Sequence, residues 1–378
     1  MKKVNFKEFL GIDEENRGKM DFPLLVSIIL LLCIGIIMVS SASSYSALSK
    51  YDDSNFFLVK QLGFAIVGFI AMIVISTIDY KKYKKVSYLF YGLTLILMIL
   101  VLTPLGVSVN GAKRWLGIGD FFRFQPSEIM KIALVLATAT YVSCNYKKLN
   151  SWKGYIVPAI FLLAVGIVMY LQDHLSGMIV MIVASVSIIF SSGIKLKWKV
   201  IIPIMIVGIA LVGVFLFSDE YRLSRVTAFL HPEEDIRGTN WQAAQSLYAL
   251  GSGEIFGLGL GQSRQKYLWL PEAQNDFIFS VLGEEFGLIG SVSVILIFLF
   301  FIYRGFRIAI TCKELYGSML AAGIVSVFAL QIFVNIAVVT SSMPVTGMPL
   351  PFFSYGGTAL FINLCTMGIL LNISRNCK

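Results

Sequence analysis

Charge is scarce in this chain. Asp, Glu, Lys and Arg make up 14% of its 378 residues, against roughly 25% in an average soluble domain. That shortage excludes an ordinary water-soluble fold. Histidine is scarcer: His174 and His231 are the only two, and they stand apart in sequence. Too few ligands face outward to build a zinc site. Cysteine is confined to Cys33, Cys144, Cys312, Cys365 and Cys377. All five fall in apolar runs or beside basic segments, so a disulfide framework on the outer side is excluded. No basic run is joined to a stacking surface, so the net charge of +9 is not a nucleic-acid signal. It fits anionic lipid headgroups instead.

Hydrophobic residues are abundant, at 57%. A helix needs about 20 mostly apolar residues to cross a bilayer. Ten such runs are legible, at 22–44, 56–78, 86–105, 128–144, 155–171, 176–193, 199–217, 276–303, 317–340 and 352–373. Short alternating segments, the mark of a membrane β-barrel, are missing. The expected fold is therefore all-α, a polytopic membrane protein with about ten transmembrane helices. The first run ends in "SSASSYSA", which resembles a signal-peptidase site. Its length and the polar leader before it favour an uncleaved first span.

Basic residues set the orientation. Twenty of the 31 Lys and Arg fall in alternate connecting segments, and nine fall in the others. Lys60 and Lys131 lie within runs. Both termini are then cytoplasmic. Residues 1–21 form a cytoplasmic N-terminal segment, 22–373 the membrane domain and 374–378 a cytoplasmic tail. The outer loops are 106–127, the long 218–275 and 341–351. They hold nearly all the unusual residues, so function is expected to face outward. The Gly-rich stretch 251–265 lacks a preceding strand, which argues against a phosphate-binding loop. It reads as a flexible or re-entrant loop. No internal repeat is visible.

Ionisable groups inside a membrane are expensive and point to function. In 110–131, Gln125-Pro126-Ser127-Glu128 has the form of a helix start, with Pro in the first turn and an acid near the N-terminus. Glu128 and Lys131 are three apart and share a helix face. They form either a structural ion pair or part of a binding cavity. Lys113, Arg114 and Trp115 suit a headgroup phosphate or plain interfacial anchoring. Asp276 sits at the mouth of the eighth run, as a helix N-cap or as a reactive carboxylate. Glu284 and Glu285 lie eight and nine residues on, roughly 12–14 Å deeper at 1.5 Å per residue. That is too far to pair with Asp276 as glycosidase carboxylates do, so they read as architectural. Arg222, Arg225, Arg237, Arg264 and Lys266 are solvated charges or a clamp for an anionic headgroup. In 343–358, Pro344, Pro349 and Pro351 prevent a regular helix, while Gly356-Gly357 permits close backbone approach. Such backbone lines a cavity at membrane depth, and Asn335 is placed to face it.

The stretches "NGAKRW", "QPSEIMK", "LGLGQSRQKYLWLPEAQNDFIFSVLGEE" and "PVTGMPLPFFSYGG" occur in the order and spacing of one family. The chain resembles the SEDS family (shape, elongation, division and sporulation), which includes FtsW, RodA and SpoVE. "GLGLGQSRQK" is nearer the FtsW and SpoVE branch. The resemblance covers nearly the whole chain. It implies ten helices and a peptidoglycan glycosyltransferase acting at the outer face of the cell membrane, in division or sporulation. The implied substrates are lipid II and the growing lipid-linked glycan, and the implied partner is a class B penicillin-binding protein. It implies that Asp276 is the essential aspartate and that Glu128 and Lys131 are the polar pair of the fourth helix. There are departures. Gln172-Asp173-His174-Leu175-Ser176 stands where the family often has Gln-Pro-Asp-Leu-Gly, so His174 occupies an aspartate position. Asn275 replaces a common Thr.

Polymerising a lipid-linked sugar needs a hydroxyl to attack C1 and expel a pyrophosphate lipid. A base helps the hydroxyl, and cations help the leaving group. Asp276 is the candidate base, or the holder of a divalent cation, Mg or Mn. Substrate-binding candidates are Lys113, Arg114, Gln125, Ser127, Glu128, Lys131, Arg222, Arg225, Arg264, Lys266, Asn335 and Ser354. The alternative is a flippase for the lipid-linked precursor. A third reading is a scaffold for the transpeptidase.

Overall fold

A spanning segment in lipid must satisfy every backbone group internally, and helices do so within one run. The computed structural model describes residues 18–109, 112–118, 122–193, 224, 227–231, 238 and 240–376. Nine of the ten expected runs fall there, and each carries a helix. The run 199–217 lies outside the described residues. The helices are α1 (Phe22–Tyr51), α2 (Phe56–Ile75), α3 (Tyr83–Leu102), α4 (Pro126–Cys144) and α5 (Ile156–Leu171), then α6 (Leu175–Ser191), the short α7 (Trp241–Ser252), α8 (Ile278–Thr311), α9 (Leu315–Val339) and α10 (Gly357–Asn376). Eight spans among the described residues are long and apolar enough to cross a membrane.

Packing separates inner from outer helices. The apolar windows of α4 and α9 are 78% buried, against 22% for α2. So α4 and α9 form the interior, with α6 and α8 packed on α9 and α10 packed on α2. The uncovered apolar faces of α2, α3 and α5 fit a lipid environment. Lys60 lies near the start of α2 and rests over the Phe56 ring at 4.2 Å, its stem along apolar surface and its charge outward. At the basic end of the bundle, Asp21 caps α1 by accepting from Leu24 N (3.0 Å). The same carboxylate pairs with Arg304 of α8.

Two features depart from the hydropathy reading. Residues 106–124 are not plain loop. They hold an antiparallel meander of β1 (Gly106–Val109), β2 (Ala112–Ile118) and β3 (Phe122–Phe124). This sheet carries Lys113 and Arg114 to the mouth of α4. The second feature is a break in α8 at Gly287 (φ 64°, ψ −164°). The break frees backbone groups on both sides, and the Gly-rich stretch takes them up. Leu258 N and Gly259 N donate to the carbonyls of Glu284 and Glu285 (3.0 and 2.9 Å). Leu288 N and Ile289 N donate to the carbonyls of Glu254 and Ile255 (2.9 and 3.2 Å). The stretch is thus a structured insert in the wall of α8. It fits because the contacts are glycines: a Cβ on Gly287 would stand 2.4 Å from Gly257 N. Gly287→Ala should lower the apparent melting temperature of the purified protein. Left-handed strain alone costs about 1–3 kcal/mol, and the displaced insert adds to it.

Candidate active site

Asp276 lies two residues before α8, and Phe277 takes the N-cap position. Asp276 is therefore not the helix cap, and its carboxylate is half-buried at the entrance of the bundle. Two segments hold its backbone. Asn335 of α9 donates from Nδ2 to the carbonyls of Asp276 and Met348, both at 2.8 Å. Ser354 donates from Oγ to the carbonyl of Asn275 (2.6 Å) and accepts from Leu350 N (2.7 Å). Tyr355 N donates to the carbonyl of Gln274 (2.8 Å). The Pro-rich segment 343–356 thus wraps the approach to Asp276, and it is non-helical there, as its prolines dictate. Gly347 has φ +66°, and a Cβ at that position would lie 3.4 Å from Asp276 Oδ2. Below, Phe352 stacks on Phe328 of α9 at 5.6 Å. This packing holds Phe352 at a left-handed φ of 68°, a cost borne where a site needs a fixed shape.

The start of α4 carries a second group of polar residues. Pro126 opens the helix, and Gln125 at the N-cap makes no capping bond. Its Nε2 instead lies 3.2 Å from His174 Nε2. Ser127 Oγ and His174 Nδ1 are buried without a hydrogen-bond partner among the described residues. Glu128 and Lys131 form an ion pair at 2.7 Å, each less than 10% exposed. Arg114 of β2 donates from Nε to the carbonyl of Gln172 (3.2 Å) and from Nη2 to that of Asp173. Burial, with the Arg114 and Lys131 cations beside it, pushes the His174 imidazole down to about 3. It is neutral near pH 7 and accepts the Gln125 N–H. A neutral imidazole adds no negative charge here, so the Arg114 guanidinium is not offset by this residue as it would be by an aspartate. Ser176, at the start of α6, donates to the carbonyl of Thr346 (3.3 Å). Thr346 adjoins Gly347, so the His174 turn and the Asp276 approach meet through this contact.

The other predicted residues divide. Lys113 Nζ reaches the carbonyl of Leu102 at 3.5 Å. Arg264 is exposed and forms no ion pair among the described residues. Arg222, Arg225 and Arg237 lie outside the described residues. Lys266 needs correction as a headgroup cation. It is 5% exposed, and its ammonium is bound by Glu285 Oε1 (3.2 Å), Ser41 Oγ (3.2 Å) and the Gly261 carbonyl (2.7 Å). All three of its N–H donors are used. Glu284 accepts from Arg264 N (2.9 Å), Gln265 N (3.3 Å) and Ser263 Oγ. The two glutamates therefore anchor the loop that leads to Asp276. Ser41 also donates to Glu285 (2.5 Å), which accounts for part of the serine-rich end of α1. Sequence reading passes over Gln61, whose only signal is an amide inside an apolar run.

A half-buried carboxylate at the entrance of the bundle has the chemistry of a general base. Arg114 and Lys131 bring positive charge to the His174 turn, which joins the Asp276 approach through Ser176 and Thr346. Among the described residues no cluster of three or more His, Cys, Asp or Glu could hold a metal ion.

The sequence matches the family described as Cell cycle protein, that of FtsW, RodA and SpoVE, over residues 23–378. It is 43% identical over 358 residues to stage V sporulation protein E of Bacillus subtilis (strain 168), covering 94% of this chain and 97% of that protein. It is 40% identical over 361 residues to the probable peptidoglycan glycosyltransferase FtsW of Geobacter sp. (strain M18), covering 95% and 97%. The solved structure of the rod shape determining protein RodA of Thermus thermophilus superposes with a TM-score of 0.69 at 25% identity, covering 94% of this chain and 96% of that one. A chain from a peptidoglycan synthase complex superposes at 0.77 with 24% identity, covering 94% and 97%, a likeness of fold. The helical membrane bundle, the order of its motifs and these relatives together make the chain a member of the FtsW, RodA and SpoVE family.

Proposed function

We propose that this chain is a peptidoglycan glycosyltransferase that polymerises lipid II into glycan strands. The observation that carries the reading is the half-buried Asp276, held at the backbone by Asn335 and Ser354 at the entrance of a membrane bundle. The 4-hydroxyl of the acceptor sugar gives its proton to Asp276 while its oxygen bonds to C1 of the donor. The bond from C1 to the pyrophosphate oxygen breaks, and the lipid pyrophosphate leaves with the electron pair. Lys131, Arg114 and Arg264 supply positive charge for that leaving group. The leaving group is already an anion, so one carboxylate suffices, and Glu284 and Glu285 are left to structure.

Basic segments on alternate sides favour cytoplasmic termini, which turns the site outward. The chain of similar fold comes from a peptidoglycan synthase complex described as coordinating polymerisation and crosslinking. By analogy a class B penicillin-binding protein is the partner of this chain, which crosslinks the strands it makes. The deciding experiment is a pair of assays on reconstituted protein, one for strands from lipid II and one for transbilayer movement of lipid II. Strands without accelerated flipping are expected. Flipping without strands, unaffected by Asp276→Asn, would sink the polymerase reading in favour of a transporter.

A further inference from the structure

The bonds that hold the Asp276 approach trace back to two amide side chains inside membrane helices. Gln61 of α2 is 0% exposed and Asn335 of α9 is 1% exposed. A buried amide is costly unless its hydrogen bonds are made. Gln61 makes them through both ends of its amide and Asn335 through Nδ2, while Asn335 Oδ1 has no partner among the described residues. Gln61 Nε2 donates to the carbonyl of Ser354, and its Oε1 accepts from Gly356 N, both at 3.3 Å. The turn it grips carries the Ser354 hydroxyl and the Tyr355 N–H, which bond Asn275 and Gln274. Asn335 grips the same approach from the other side. Both of its N–H donors are engaged, by the carbonyls of Asp276 and Met348, so it has no donor left for a substrate.

We propose that Gln61 and Asn335 are positioning residues, which set the Asp276 carboxylate by fixing the backbone of 274–276 from α2 and from α9. The inference rests on Asp276 as the reacting carboxylate. It also assigns a purpose to a polar residue in α2, a helix that otherwise turns most of its surface outward. A carboxylate displaced by about 1 Å loses on the order of 100-fold in rate without losing substrate affinity. The role therefore shows in kcat and not in KM.

The test measures strand formation from lipid II by the purified, reconstituted protein with its partner transpeptidase, normalised to folded enzyme. Gln61→Leu and Asn335→Leu should each lower kcat about tenfold or more, with KM within about threefold. Gln61→Glu keeps the acceptor for Gly356 N and loses the donor, so it should fall between Gln61→Leu and the parent. Gln61→Leu combined with Asn335→Leu should lose less than the product of the single losses, because both act on one loop. Asn335→Asp has nearly the same shape and serves if the leucine variants do not fold. Unchanged kcat in folded variants overturns the proposal, as does a loss confined to KM, which would make these residues substrate contacts. A lower melting temperature with full kcat per folded molecule also overturns it. If Asp276→Asn is inactive while these variants are active, positioning alone fails. If Asp276→Asn is itself active, the reading of the site fails.

Discussion

Asp276→Asn should abolish strand formation while leaving the protein folded. The substitution keeps the size and planarity of the side chain and removes its basicity. General base assistance contributes on the order of 100- to 10,000-fold, so kcat should fall at least about 100-fold. The frame around the residue predicts retention of the fold. Asn335 and Ser354 bind the carbonyls of residues 276 and 275, which the substitution leaves in place. Lipid II binding to folded protein should stay within about threefold, since the cations across the site are unchanged. The measurement is gel-resolved strand formation beside a melting curve for the same preparation. Wild-type rates in Asp276→Asn would remove this carboxylate from the chemistry. The glutamates deeper in α8 could not replace it, because both are engaged in anchoring the Gly-rich loop.

Much of this was readable without coordinates, for identifiable reasons. Each described run contains a helix because twenty apolar residues in lipid have one economical backbone solution. Helix ends were less legible. By hydropathy the eighth run stops at 303, whereas α8 continues to Thr311. Arg304 and Arg307 end a hydropathy window, yet they do not end a helix. The meander at 106–124 leaves little trace in hydropathy because its strands span only four, seven and three residues. The Asn110-Gly111 dipeptide between them is a hairpin signal that hydropathy does not register. Asp276 stood out as an acid at the edge of an apolar run. Its holders are only partly legible. Asn335 and Ser354 stand out as substrate contacts, whereas the structure engages them with the backbone of 275 and 276. Gln61, which reaches the site only through the 354–356 turn, gives no such signal. Lys266 looked available as a cation because sequence gives its charge and not its neighbours. The break at Gly287 has meaning only beside Gly257, and no local pattern joins those two positions.

The ion pair of Glu128 and Lys131 allows structure and function to be separated in one protein. Both side chains are less than 10% exposed and their charges lie 2.7 Å apart. Removing one partner leaves a charge buried alone, at a cost of about 3–5 kcal/mol. Lys131→Leu should therefore lower the melting temperature sharply and reduce the yield of folded protein. Replacing both charges by apolar groups of similar volume is often neutral or stabilising. Glu128→Leu with Lys131→Leu should thus recover most of the lost stability. If the pair were only a strut, strand formation would return with stability. The geometry argues for a different result. Lys131 acts on His174 together with Arg114, and Ser127 Oγ and His174 Nδ1 beside it are buried without partners. That grouping suits an anion more than a sealed core. The double variant should melt near the parent and still make strands at least about tenfold more slowly, the loss expected when one electrostatic contact to a leaving group is removed. Full activity in the stable double variant would reassign the pair to architecture and leave Arg114 and Arg264 to meet the pyrophosphate.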